Sequence, residues 1–92
     1  MTSLEAERLA IAALGYLAED QERVGAFLAS AGAAPGDLRE RAADPAFLGF
    51  VLDHLLMADA SVIEFAANAG IAPEMVARAR AALPGGDTPD WT

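Results

Sequence analysis

Apolar residues recur along this chain at three- and four-residue steps, the period of a helix with one buried face. The densest run is Asp44 to Met57. There Phe47, Leu48, Val51, Leu52, Leu55 and Leu56 fall on one broad face, and Phe50 and Met57 widen it. Asp44 followed by Pro45 is a helix start. The carboxylate can accept from free first-turn N–H groups, and proline tolerates the first helical position because its missing N–H would be unpaired there anyway. Only Gly49, Asp53 and His54, with small Ala46 and Ala58, are left for solvent, so the pattern predicts a buried central helix.

The flanking segments read as helices packed around it. Thr2 and Glu5 have capping-box spacing ahead of a helix predicted over about residues 3–18. Its expected core side is Ala10, Ile11, Leu14, Leu17 and Ala18, with Glu5, Arg8 and Ala12 outside. Asp20 caps a second helix through about Ala31, with Val24, Phe27 and Leu28 apolar and Gly32 as its stop. Pro35 opens a short third helix carrying Leu38, with Asp37 and Arg41 as an i,i+4 pair. Asp59 is expected to cap a fifth, with Val62, Ile63 and Phe65, stopped by Gly70. Pro73 opens a sixth, with Met75, Val76 and Leu83, and Glu74 facing Arg78. Pro84-Gly85-Gly86 ends the regular structure, and the tail, residues 84–92, carries Trp91. The fold class expected is all-α: a bundle of five to six short helices in one domain, residues 1–83.

The glycine–proline punctuation occurs twice. Ala31-Gly32-Ala33-Ala34-Pro35 aligns with Ala69-Gly70-Ile71-Ala72-Pro73, and the same offset matches Val24 with Val62, Phe27 with Phe65 and Leu17 with Leu55. Two three-helix halves, about residues 4–42 and 43–82, closed face to face, are the expected arrangement. Two units are too few for an open solenoid, so a compact bundle follows. On that alignment His54 is the counterpart of Tyr16, and both are expected at an edge with a polar tip, in one shared groove.

Composition narrows the function classes. The net charge is −8, with 14 acids against six arginines and no lysine. Nucleic-acid binding draws its affinity from cations on phosphates, and anionic membranes select the same charge, so neither partner is expected. No run is long enough to cross a bilayer. With no cysteine there is neither a disulfide nor a thiolate metal site, and a cytoplasmic protein is the expectation.

No catalytic constellation stands out. His54 is the only histidine, and neighbouring Asp53 points about 100° away, so the two do not converge on an ion. Ser3, Ser30 and Ser61 sit at helix ends, where serine is common for capping. Gly85-Gly86 follows a helix instead of preceding one, which is the wrong order for a phosphate loop. Phe65 to Leu83 resembles a helix-turn-helix in outline, but Pro73-Glu74-Met75-Val76 offers a glutamate where a recognition helix needs groups that reach base edges. No metal and no cofactor is expected. Trp91 is expected to staple the tail onto the bundle, the alternative being an anchor for a partner.

Several stretches together resemble a known family. They are Ala13-Leu14-Gly15-Tyr16-Leu17-Ala18-Glu19-Asp20, Arg23-Val24-Gly25-Ala26-Phe27-Leu28, Ala42-Ala43-Asp44-Pro45-Ala46-Phe47-Leu48, Val51-Leu52-Asp53-His54-Leu55-Leu56 and Ala79-Arg80-Ala81-Ala82-Leu83-Pro84-Gly85. The chain is similar over nearly its whole length to the short bacterial proteins of domain-of-unknown-function family 3572. It departs from the pattern at Ala33-Ala34 and Ala60-Ser61, which touches packing and surface charge. The resemblance implies a small helical domain and supplies no functional residues.

The reading that results is a non-enzymatic module that binds another protein, with a second copy of the chain as a further candidate partner. Tyr16, His54 and Trp91 are the candidate contact residues. The alternative is a small-molecule or enzyme-accessory site between the halves, lined by Phe27, Phe47, Phe50 and Phe65 with Tyr16 and His54 as polar groups. DNA binding stands third.

Overall fold

Each helix starts and stops where local chemistry directs. A computed structural model describes residues 1–84. The elements are α1 (Ser3–Ala18), α2 (Gln21–Ala31), a 3-10 turn (Pro35–Asp37) running into α3 (Leu38–Arg41), α4 (Pro45–Leu56), α5 (Asp59–Ala69) and α6 (Glu74–Ala81). Among the described residues there is no strand.

Thr2 and Glu5 form the expected capping box: the Glu5 N–H donates to Thr2 Oγ1 at 3.1 Å and the Thr2 N–H to Glu5 Oε1 at 2.9 Å. Those bonds hold the Glu5 carboxyl below its usual range. Asp20 accepts from the N–H groups of Glu22 and Arg23, and Asp44 from that of Ala46. Gly32 and Gly70 end α2 and α5 in the left-handed region, at φ 66° and 71°. The next residue closes each end in the same way, Ala33 N to Leu28 O at 3.1 Å and Ile71 N to Ala66 O at 3.0 Å. One expected cap is different. Ala58, not Asp59, is the cap of α5, because the Ser61 and Val62 N–H groups bond to the Ala58 carbonyl. Asp59 is then the first helical residue, where its charge still suits the positive end.

The core is built on α4. α1 packs along it, α6 lies against both, and α2 and α5 each touch both α1 and α4. Phe27, Leu48, Val51, Leu52, Leu55 and Val76 are fully buried. Each contributes on the order of 1.5–3 kcal/mol by leaving water. Four small or medium residues of α1, Ala6, Ala10, Ala13 and Leu17, form its inner stripe at steps of four, three and four. Small side chains there let α4 and α6 come close.

That stripe corrects the expected core. Ile11 is 48 % exposed and Ala18 is also outside, whereas Tyr16, Ala6 and Ala13 are inside. The helix is turned so that three alanines join Leu14, Tyr16 and Leu17 against the neighbours, while Leu4 and Ile11 face out. On α4 the solvent strip is Ala46, Phe50, Asp53 and Met57, while Gly49 is buried. Phe50 and Met57 therefore do not widen the core; they border it. Ile63 of α5 is exposed as well. Among the described residues neither Asp37–Arg41 nor Glu74–Arg78 closes to an ion pair; Asp37 instead accepts from the Ala34 N–H.

The third segments of the two expected halves differ. After Pro35 the chain makes a 3-10 turn and one short helix at the periphery. After Pro73 it makes α6, whose Val76 and Ala79 are fully buried against α1 and α4. No single described helix is long and apolar enough to cross a membrane, and α4 and α5 bend by 114° at their junction.

Candidate functional site

Tyr16 stands at the C-terminal end of α1, where α5 crosses it. Its ring is tilted against Phe65 with centroids 5.7 Å apart, and the side chain is 5 % exposed. The phenol donates to the Glu64 carboxylate. Arg23 completes the cluster: its Cζ lies 4.2 Å over the tyrosine ring, and Nη1 donates to the Tyr16 carbonyl at 2.9 Å. Nη2 of the same guanidinium stands 3.7 Å from Glu64 and Nε 3.9 Å from Asp20. Burial first, and then the bond to Glu64, push the Tyr16 phenol above its ordinary value. The hydroxyl thus ties α1 to α5, and Arg23 joins α2 to the same tyrosine. Beside it runs an open cleft of about 280 Å³ between α1 and α5, floored by Tyr16 and Phe65 and walled by Ala12, Gly15 and Ala69.

His54 occupies the last turn of α4. Its ring meets Phe27 edge-on at 5.4 Å. Nδ1 is buried and has no hydrogen-bond partner among the described residues. A second cleft, about 240 Å³ and more enclosed, opens here between α2, the end of α4 and the start of α5. Leu17, Ala26, His54, Met57 and Ser61 border it, with Arg23 at its edge. Met57 is 78 % exposed and Phe50, one turn before His54, is 39 % exposed. The Phe50 ring lies 6.3 Å from the buried Phe27 ring, so Phe50 and His54 both pack on Phe27, and Met57 borders the cleft with His54.

Tyr16 is buried with its hydroxyl bonded to Glu64, and His54 is half-buried with its Nδ1 enclosed, so neither presents the free polar tip expected at an edge, and they do not share a groove. Each borders its own cleft. The four phenylalanines expected around one central pocket are divided too. Phe27 and Phe47 pack edge to face at 5.6 Å inside the core, and Phe65 belongs to the tyrosine cleft. The space between the halves is filled, and what openings exist lie at its margins. Trp91 falls outside the described residues. Among those described, no three histidine, aspartate or glutamate side chains come together as a metal site would require.

The family model described as protein of unknown function DUF3572 matches residues 3–86. The chain belongs to this family. The DUF3572 match runs through every helix described above and both clefts, which agrees with the resemblance read from the sequence. Its description assigns no activity. No curated protein and no solved structure matches the chain.

Two features of this DUF3572 member carried little signal in its sequence. Arg23 organises the Tyr16 cluster, and nothing but its place one residue after an acidic N-terminal turn marks it. Arg80 of α6 forms a forked pair with Asp53 of α4, Nε to Oδ1 at 2.6 Å and Nη2 to Oδ2 at 3.0 Å, and Nη1 donates to the Pro84 carbonyl. The guanidinium lies directly over Gly49. A glycine inside an otherwise apolar helix was the available clue, since such a residue often marks a close approach.

Proposed function

We propose that this protein acts without catalysis, as a module that binds another protein through the strip formed by α4 and α2 around His54. The observation that carries this reading is the exposure of Met57 at the border of a partly enclosed apolar cleft, with Phe50 exposed one turn before His54 on the same helix. A flexible thioether at the rim of a hollow, with an exposed aromatic ring nearby on the same helix, is a feature of an adaptable docking surface. The cleft, about 240 Å³, falls below the range of about 300–1,000 Å³ usual for small-molecule sites and suits one or two side chains. Asp53 on the same strip is already paired with Arg80, so the charge that selects a partner is the −8 of the chain as a whole. The partner segment that fits is therefore apolar at its centre and basic at its edges.

The test uses affinity capture from the source cells with the parent and with Met57→Asp and Phe50→Asp. Both positions are solvent-facing, so both variants should fold, which circular dichroism checks. The expected result is a partner that binds the parent saturably when purified, and at least about tenfold more weakly with either variant. A partner indifferent to both changes, or none that saturates, would falsify the reading.

A further inference from the structure

α1 carries two stripes on roughly opposite sides. The inner one is spent on the core. The outer one, Leu4, Arg8, Ile11, Gly15 and Ala18, repeats at steps of four, three, four and three, which is the spacing of a helix–helix seam. All five residues are exposed, Leu4 at 58 % and Ile11 at 48 %. No described element covers them. Ala12 and Glu19 flank the same face, and the cleft over Tyr16 and Phe65 opens along it.

The sizes and charges on this face are arranged in opposite senses along the helix. Bulk lies toward its start, in Leu4, Arg8 and Ile11. The far end is small, in Gly15 and Ala18, and a Cβ added at Gly15 would meet nothing within 4 Å. The cation, Arg8, is near one end and the anion, Glu19, near the other. Among the described residues neither is in an ion pair. Such a face is complementary to itself when reversed. We propose that the outer face of α1 is an interface on which a second copy of this chain packs antiparallel, about a two-fold axis passing between Ile11 and Ala12.

In that arrangement Ile11 of each copy lies over Ala12 of the other and reaches the cleft beside it. Arg8 crosses the bare backbone at Gly15 and its guanidinium extends one turn further to Glu19. Both contacts occur twice, as a two-fold requires. Glu5, the other acid near this face, is engaged with Thr2 in the capping box. The net charge of −8 on each copy opposes approach at long range, so association should be firmer at physiological ionic strength, where charges are screened beyond about 8 Å, than in dilute buffer. This interface is separate from the α2–α4 strip and does not depend on it.

Sedimentation equilibrium of the full chain tests the proposal, with circular dichroism to show that each variant folds. The parent is expected to form dimers. Ile11→Asp should raise the dissociation constant at least about tenfold, because it places a charge at the axis. Arg8→Glu alone should associate more weakly, since it faces Glu19 of its twin, and Glu19→Arg alone should do the same. Mixed together, Arg8→Glu and Glu19→Arg should pair with each other, because every contact between position 8 and position 19 is then between opposite charges. A parent that stays monomeric into the millimolar range overturns the proposal. So does a dimer unmoved by Ile11→Asp, or a mixture of the two charge variants that fails to associate.

Discussion

A Cβ at position 49 would stand 2.6 Å from Arg80 Nη1, 3.1 Å from its Cζ and 3.3 Å from the Pro84 carbonyl oxygen. Glycine in a helix costs about 1 kcal/mol relative to alanine, so Gly49→Ala offers that gain while displacing the guanidinium. The Arg80–Asp53 pair is half open to water on the aspartate side, and its loss is worth about 1 kcal/mol or less. The two effects oppose each other, and Gly49→Ala alone is expected to leave the melting temperature close to that of the parent. With Arg80→Ala already in place the guanidinium is gone and only the close Pro84 carbonyl still opposes the gain, so the same change should stabilise by up to about 1 kcal/mol, roughly 4–8 °C in a domain of this size. Equal effects in both backgrounds would show that the guanidinium does not need the bare position. His54 offers a second check. Its unpartnered Nδ1 costs on the order of 1–3 kcal/mol, and His54→Phe removes that atom while keeping an edge contact with Phe27. Thermal unfolding should shift upward; a downward shift would mean the nitrogen has a partner in solution. Tyr16 can be followed directly because it is the only tyrosine. Its folded value is raised, so the neutral phenol is the favoured native form. The stabilisation it brings is full below the unfolded value of about 10 and is lost as pH rises through the folded one. Absorbance titration should find the tyrosinate midpoint later in the native chain than in denaturant, and coincident midpoints would contradict the cluster.

Helix ends depend on neighbours in sequence, and here they are close to autonomous. Gly32 and Gly70 adopt the same left-handed conformation with open space where a Cβ would go. Alanine at either site should therefore cost only backbone strain, about 1 kcal/mol, and nearly the same at both in chemical denaturation. Strongly unequal losses would indicate that one of them has a packing role as well. The same autonomy is why the starts of α1, α2 and α4 could be read from Thr2, Asp20 and Asp44, and the ends of α2 and α5 from the two glycines. Helix facing was harder. Ile11 outranks Ala6 and Ala13 in hydrophobicity, so ranking by side chain put it inside. The choice was in fact made by α4 and α6, which need small residues to come close, and no local signal reports a partner helix. Gly49 was misassigned for the same reason: only Arg80, 31 residues later, explains it. That Tyr16 is buried and that the His54 Nδ1 is enclosed were not legible, and both were expected at an edge with a polar tip. Nor was their separation into two clefts, because it depends on how the two pairs of long helices cross.

At the scale of the molecule, α1, α4 and α6 form a mutually packed triple, whereas α3 lies apart from it. Amide hydrogen exchange should be slowest in the inner turns of α1 and α4 and fastest in residues 35–44. Protection of α3 equal to that of α4 would mean the peripheral segment belongs to the cooperative unit. The two apolar surfaces proposed above, one on α1 and one on α4, leave the triple itself untouched, so surface variants at Ile11, Phe50 or Met57 are expected to report on association and not on folding. The position of α6 also has a consequence for synthesis on the ribosome. Ala6, Ala10 and Ala13 emerge well before α6, which supplies part of their cover. During translation the nascent first half has a helix whose alanine seam cannot yet be closed. The domain is thus expected to snap shut only as residues 74–83 clear the exit tunnel, and until then the seam is open to chaperones.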